Sequence, residues 1–323
     1  MLDRRRLILS VAGAALAGSA SAQPAYPART MTMVVPFPAG GPADLIGRVV
    51  KEEMEKRLGQ PIVIDNRAGA GGTIGAAAVA AAAPDGHVVG MISTGAVTIL
   101  PHLMTSLKYD PLRDLAPVGL ALTTPQLLVV SPGLKVASVA ELVALAKSKP
   151  GDLIYGSAGV GSSLHMAGEL FRLRAGLQVT HLPYRGAAPA LADLLGGRIH
   201  FMLADAPAFL SQVQSGALKA LAVTARQRLA ILPAVPTMPE AGLDVVSETW
   251  YGLLAPGKTP EDKLQRLHAV LAEALAVAGV RKTLEEQGGL ISTLDRPGFA
   301  AYIRADFARW GEIVKAAGIK LDP

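Results

Sequence analysis

Short β-branched runs alternate with stretches of helical period along almost the whole chain, and that alternation leaves few folds open. Strand then helix, repeated, requires a mostly parallel sheet covered by helices. Residues 31–36 form a first run, and Leu45, Ile46, Val49, Val50, Met54 and Leu58 then recur at helical spacing. Residues 62–64 and 88–92 read as further strands, with an Ala-rich helix over 73–83 stopped by Pro84-Asp85-Gly86. A second series follows: strands over 126–130, 153–155, 179–182, 199–203 and 218–223, with helices near 163–174, 187–195 and 206–215. Ser138-Val139-Ala140-Glu141 is a capping box for another helix. After a Pro-rich passage, residues 250–254 read as a strand. Thr259-Pro260-Glu261 is expected to cap a long helix with Pro at its first position, and a last helix spans about 298–317.

Two such series in one chain predict two α/β lobes. Crossings near 123–126 and 247–251 divide it into residues 23–124, 125–247 and 248–323, with the last part packing back on the first sheet. Lobes joined by two strands can hinge.

The first residues address the chain. Arg4, Arg5 and Arg6 precede an apolar stretch, 7–17, too short to span a bilayer, and Ala20-Ser21-Ala22 is a cleavage site. We therefore expect a signal peptide over 1–22, cleaved after Ala22, and a periplasmic mature chain; both the general secretory and the twin-arginine routes fit. That segment carries three arginines and one aspartate, a net +2, so the +5 of the whole chain falls to +3. A charge this mild and scattered argues against a nucleic-acid partner. The chain has no cysteine, which excludes thiol catalysis and cysteine metal sites and leaves an exported protein to hold itself together by core burial alone.

Glycine placement carries the chemistry. Phe37-Pro38-Ala39-Gly40-Gly41-Pro42-Ala43-Asp44 lies between the first strand and its helix, and Ser157-Ala158-Gly159-Val160-Gly161-Ser162-Ser163 holds the same place in the second series. Each sets backbone N–H groups and the positive end of a helix dipole at the carboxyl edge of a sheet, where an anion binds. Glycines there also suit a plain tight turn. A third glycine run is Arg67-Ala68-Gly69-Ala70-Gly71-Gly72; Gly69, Gly71 and Gly75 miss the dinucleotide spacing by one residue. Asp205 ends a strand, where it can cap the next helix or accept from a ligand hydroxyl or ammonium group. Arg67 and Arg185 are candidates for a second carboxylate, although Arg67 equally suits a surface pair with Asp65. No two of the six histidines stand at metal-ligand spacing, and no metal or cofactor is expected. Around Ser157 a nucleophile elbow is matched only superficially, since Tyr155 stands where glycine belongs.

At these loops the sequence resembles the Bug-type extracytoplasmic receptors, the TctC-like substrate-binding proteins of tripartite tricarboxylate transporters. The resemblance runs in order through Val35-Pro36-Phe37-Pro38-Ala39-Gly40-Gly41 to Asp44, Asn66-Arg67 to Gly75-Ala76, and Pro84-Asp85-Gly86. It continues through Tyr155-Gly156-Ser157 to His165, Pro183-Tyr184-Arg185-Gly186 and Asp193-Leu194-Leu195-Gly196-Gly197. It implies a Venus-flytrap periplasmic binding protein that catalyses nothing. The ligand is expected to be a mono- or dicarboxylate, aromatic ones included, with bridging waters beside its carboxylate. Carried over by position, Phe37, Ala39, Gly40, Gly41 and Asp44 would form one ligand loop, and Ser157, Ala158, Gly159, Ser162 and Ser163 the other, with Asp205 selecting among ligands. Residues 94–102 depart from the family, which usually shows a Thr-His and an Asn-Pro pair; this bears on Ser93 and Thr94 and on ligand choice. A monomer that hands its ligand to a membrane permease is expected. The alternatives are an exported hydrolase using Ser157 or Ser162, and a ligand-sensing partner of a membrane kinase.

Overall fold

The computed structural model describes residues 26–317; the expected signal segment lies outside the described residues. Strand β1 (Met31–Val35) runs between β2 (Ile62–Asn66) and β3 (Val88–Ser93), parallel to both. Its side chains are buried on both faces, as a central strand requires. Helix α1 (Pro42–Leu58) covers one face with Ile46, Val50, Met54 and Leu58 and ends at Gly59 in the left-handed conformation (φ 69°). Helix α2 (Thr73–Ala80) is shorter than its Ala-rich sequence suggests.

The long strand β4 (Leu115–Val130) passes through both halves of the molecule. Residues 115–125 pair antiparallel with β9 (Glu248–Pro256), which in turn pairs antiparallel with β3. From Gln126 onward β4 pairs with β7 (Phe201–Asp205) and β8 (Lys219–Val223) instead. Beyond β7 lie β5 (Ile154–Ser157) and β6 (Thr180–Pro183), both parallel. Parallel pairing thus holds among the outer strands of each lobe, and the strands that join the lobes run antiparallel. The first part of β4 escapes sequence reading because Pro117, Gly119 and Pro125 interrupt its pattern; the register shifts there, as at β-bulges.

Helices α3 (Val139–Ser148), α4 (Ser163–Ala175), α5 (Ala187–Leu195) and α6 (Ala206–Gln214) cover the second sheet. The chain then returns through α7 (Glu261–Ala276), α8 (Ala278–Glu286), the short β10 (Leu290–Ile291) and α9 (Arg296–Ala317). The cap expected of Thr259 is absent: Pro260 occupies the N-cap position, and the buried Thr259 hydroxyl has no partner among the described residues. Both crossings meet at Thr224, whose hydroxyl accepts from the Gln126 N–H (2.8 Å) and donates to the Ser247 carbonyl (2.6 Å).

Trp250, fully buried on β9, anchors α9 to the first lobe. Its ring packs edge-on to Phe299, and its Nε1–H donates to Asp306 (2.9 Å), which also accepts from Thr98 (2.7 Å) and Arg309 (2.8 Å). Replacing Trp250 with Ala is expected to cost about 3–5 kcal/mol, and with Phe about 1–3 kcal/mol through the lost bond to a buried carboxylate. Denaturation midpoints that rank Phe as costly as Ala would contradict this division.

Candidate functional site

Helices α1, α4 and α5 begin at the carboxyl ends of their strands with their first turns at one cavity of about 30 Å³, and Asp205, at the N-cap of α6, joins them. From the first lobe come Phe37, Pro38, Gly41, Pro42 and Ala43, joined by Ser93 and Tyr251. The second lobe supplies Ala158, Ser162, Ser163 and Leu164 at α4, Gly186, Ala187 and Ala188 at α5, and Asp205 at α6. In this arrangement the space holds a water molecule or two; a larger ligand enters only with the lobes further apart.

The first amides of a helix have no acceptor within it, so the remaining hydrogen bonds decide which are free for a ligand. In the first lobe, Gly40 N–H donates to Asp44 Oδ2 (3.0 Å) and Leu45 N–H to the Gly41 carbonyl (3.0 Å). Pro42 has no N–H, which leaves the Ala43 and Asp44 amides. In the second, Ser162 Oγ caps α4 by accepting from His165 N–H (3.2 Å), and the Ser162 amide donates to the Gly159 carbonyl (3.1 Å). The amides of Ser163 and Leu164 remain. At α5, which follows the N-cap Gly186 (φ 130°), Ala187 and Ala188 offer theirs before Pro189. Among the residues that line the cavity there is no lysine or arginine.

Asp44 holds its loop together. Besides Gly40, it accepts from Arg48 (2.8 Å) and Asn66 (3.0 Å), and Asn66 Nδ2 also reaches the Phe37 carbonyl (3.0 Å). Burial works against its charge, yet these bonds outweigh burial and hold the carboxyl below its usual value.

Asp205 is the one acid lining the cavity. It stands at the N-cap of α6 but makes no capping bond. Its carboxylate instead accepts from Thr249 Oγ1 (2.6 Å) and the Tyr251 hydroxyl, both on β9. Ser163 Oγ lies 2.7 Å from the same Thr249 hydroxyl. The Gln126 amide is best oriented with its nitrogen on the Ser247 carbonyl (3.0 Å) and its oxygen on Thr249 N–H (3.2 Å), which leaves the hydroxyls as the donors to Asp205. Burial without a cation pushes the carboxyl up to about 6, against those hydrogen bonds.

The residues singled out in the sequence distribute unevenly. Phe37, Gly41, Ser93, Ala158, Ser162, Ser163 and Asp205 line the cavity. Ala39 and Gly40 are exposed on its shoulder, while Asp44, Thr94 and Ser157 are buried and absent from the lining. Thr94 Oγ1 accepts from Trp250 N–H (2.8 Å), at the start of the irregular turn Gly95–Ile99. Gly159 and Arg185 sit in an adjoining pocket that shares Phe37 and Ala158 with the cavity. Arg67 is paired with Asp65 (2.7 Å), half exposed, and lines neither space. The sequence reading missed Ala43, Leu164, Tyr251 and the α5 terminus. Gly186 was legible by the strand–glycine–helix signature used for the other loops; Tyr251, on a crossing strand, carried no local signal.

Ser157 Oγ lies 2.7 Å from His181 Nε2, the neighbour a nucleophilic serine needs. This serine, however, is wholly buried, does not line the cavity and also accepts from Gly159 N–H (3.2 Å). Burial and then the adjacent His165 push the His181 ring down to about 3, which makes it a poor base at neutral pH. Ser162 Oγ donates to the Gly159 carbonyl (2.7 Å). Both hydroxyls shape the loop.

Because the folded-state value for Asp205 lies above its ordinary 3.8, its ionised form weakens the fold above about pH 6, and the penalty fades as pH falls to 3.8. Asp205→Asn is therefore expected to raise the melting temperature at pH 8, by at most about 3 kcal/mol in stability, with the advantage gone below pH 4. A lower melting temperature for Asn at pH 8 would contradict this.

Known proteins resemble this chain over most of its length. The sequence model described as Tripartite tricarboxylate transporter family receptor matches residues 46–319. Protein BugT of Bordetella pertussis is 38% identical over 322 residues, covering 97% of this chain and 98% of the relative. An R. palustris protein solved with adipate superposes with a TM-score of 0.89 at 34% identity, over 91% of this chain and 99% of that one. MatC from Rhodopseudomonas palustris with bound malate gives 0.86 at 34%, over 90% and 100%. The chain has the two-lobed α/β fold of periplasmic binding proteins and belongs to the tripartite tricarboxylate transporter family of receptors.

Proposed function

We propose that this protein is exported to the periplasm with cleavage after Ala22, captures a small organic acid between its lobes as a monomer, and delivers it to a membrane permease without chemical change. In this reading residues 23–124 and 248–323 make one lobe and 125–247 the other. The observation that carries it is the set of helix amides without a partner among the described residues, Ala43 from one lobe and Ser163, Leu164, Ala187 and Ala188 from the other, around a cavity lined by no basic side chain. Helix N-termini favour negative charge, and an anion bridging both lobes closes them.

The rest of the lining narrows the ligand. Asp205 repels a carboxylate from its end of the cavity and accepts from a ligand hydroxyl or ammonium group. Phe37, Pro38, Pro42 and Leu164 suit an aliphatic or aromatic body. A second carboxylate would extend toward Arg185 in the adjoining pocket. The two related proteins solved with dicarboxylates support this class.

A thermal-shift screen of organic acids should find stabilising ligands, since binding to the folded state alone raises the melting temperature; no shift with any mono- or dicarboxylate would count against the proposal. Ser163→Pro tests the amide itself. Ser162 is already extended (φ −69°, ψ 158°), as a residue before proline should be, and the first helical position accepts proline. Relative to Ser163→Ala, it is expected to weaken binding by about 10–100-fold through one charge-assisted hydrogen bond. Equal affinities for the Ala and Pro variants would contradict the role given to this amide.

A further inference from the structure

Behind the second ligand loop, aromatic rings form a column. Tyr155 stacks on His181 (centroids 4.8 Å apart), and His181 stacks on His165 (4.0 Å). The outermost ring touches the loop directly: His165 Nδ1 accepts from Gly161 N–H (3.1 Å), which places the ring proton on Nε2. His181 reaches the same loop through Ser157, whose hydroxyl accepts from Gly159 N–H. Gly161 is also where the opposite lobe makes contact, since a Cβ there would strike Leu100 Cδ2. The loop is therefore held from behind by a histidine and covered in front by the other lobe.

We propose that His165, backed by His181, is a positioning residue: it fixes the 159–162 turn so that the free amides of α4 face the cavity and Gly161 receives Leu100. A ring serving only as core filling would not need an acceptor toward the loop, and the Gly161 amide would lose its partner if that acceptor were removed. The groups packed around the ring are Tyr155, His181 and the ion pair of Glu169 with Arg172 (2.8 Å). Burial pushes His165 down to about 4 and His181 to about 3, so both stay neutral and keep their acceptors at pH 7. Protonating His165 would set N–H against N–H at Gly161 and release the turn.

Two variants separate acceptor from stack. His165→Asn keeps an acceptor near the Nδ1 position without the ring; His165→Phe keeps the ring on His181 without the acceptor. The readouts are hydrogen exchange of the Gly161 amide in the unliganded protein and calorimetric affinity for adipate and malate. The proposal rests on the carboxylate reading only for the second. Phe is expected to speed Gly161 exchange and weaken binding by about tenfold each, with Asn within about threefold of wild type. In wild type, Gly161 protection beyond the intrinsic pH dependence of exchange should hold from pH 8 to 5 and fall through about pH 4, where His165 titrates. Equal effects of Asn and Phe, or unchanged protection in Phe, would overturn the proposal. Should neither acid bind wild type while Gly161 protection follows the expected order, the ligand class fails and the positioning role stands.

Discussion

Unsatisfied amides at the start of buried helices are the constraint on which this structure depends. A helix N-terminus enclosed by protein needs an acceptor, and here α1, α4 and α5 bring theirs to a single cavity. The surrounding side chains divide those amides. Asp44 takes Gly40, Ser162 takes the third amide of α4, and His165 takes Gly161. What they leave, at Ala43, Ser163, Leu164, Ala187 and Ala188, is a patch of positive potential made entirely from backbone. In the proposed reading it recognises charge and shape, so loop geometry matters more than any one side chain.

The opposing element is Asp205. A buried carboxylate with hydroxyl donors and no cation is costly, and its position at the end of β7, paired with Gln126 of β4 and bonded to side chains of β9, links that cost to the joint between the lobes. Tyr251 and Thr249 reach it from β9, while Thr224 ties Ser247, just before β9, to Gln126 of β4. The cavity and the crossings between the lobes therefore share a hydrogen-bonded network. Where the lobes touch, glycine backbone is approached closely: a Cβ at Gly71 would lie 2.7 Å from the Val160 carbonyl, and one at Gly161 would strike the Leu100 side chain. Glycine at these positions lets the lobes approach as well as the chain turn.

Much of this was legible in the sequence because strand–glycine–helix units carry local signals: period, caps and positive-φ positions. Each loop that lines the cavity follows that rule, including Gly186, which was passed over. What was not legible depends on distance. Asp44 entered the first loop by resemblance alone; that its side chain turns inward to Arg48 and Asn66 rests on contacts no local signal announces. Ser157 and His181, 24 residues apart, meet only through parallel pairing of β5 with β6. Tyr251 reaches Asp205 across 46 residues. The first part of β4 was hidden by prolines and a glycine that a bulged strand tolerates. Capping by Thr259 failed for a local reason, since Pro260 itself occupies the cap position.

The most direct measurement is a crystal structure of the protein with an organic acid bound. It should place carboxylate oxygens about 3 Å from the amide nitrogens of Ala43 and of Ser163 or Leu164, with Asp205 on the far side of the ligand. A carboxylate held by Arg185 in the adjoining pocket, with those amides satisfied by protein atoms instead, would contradict the account.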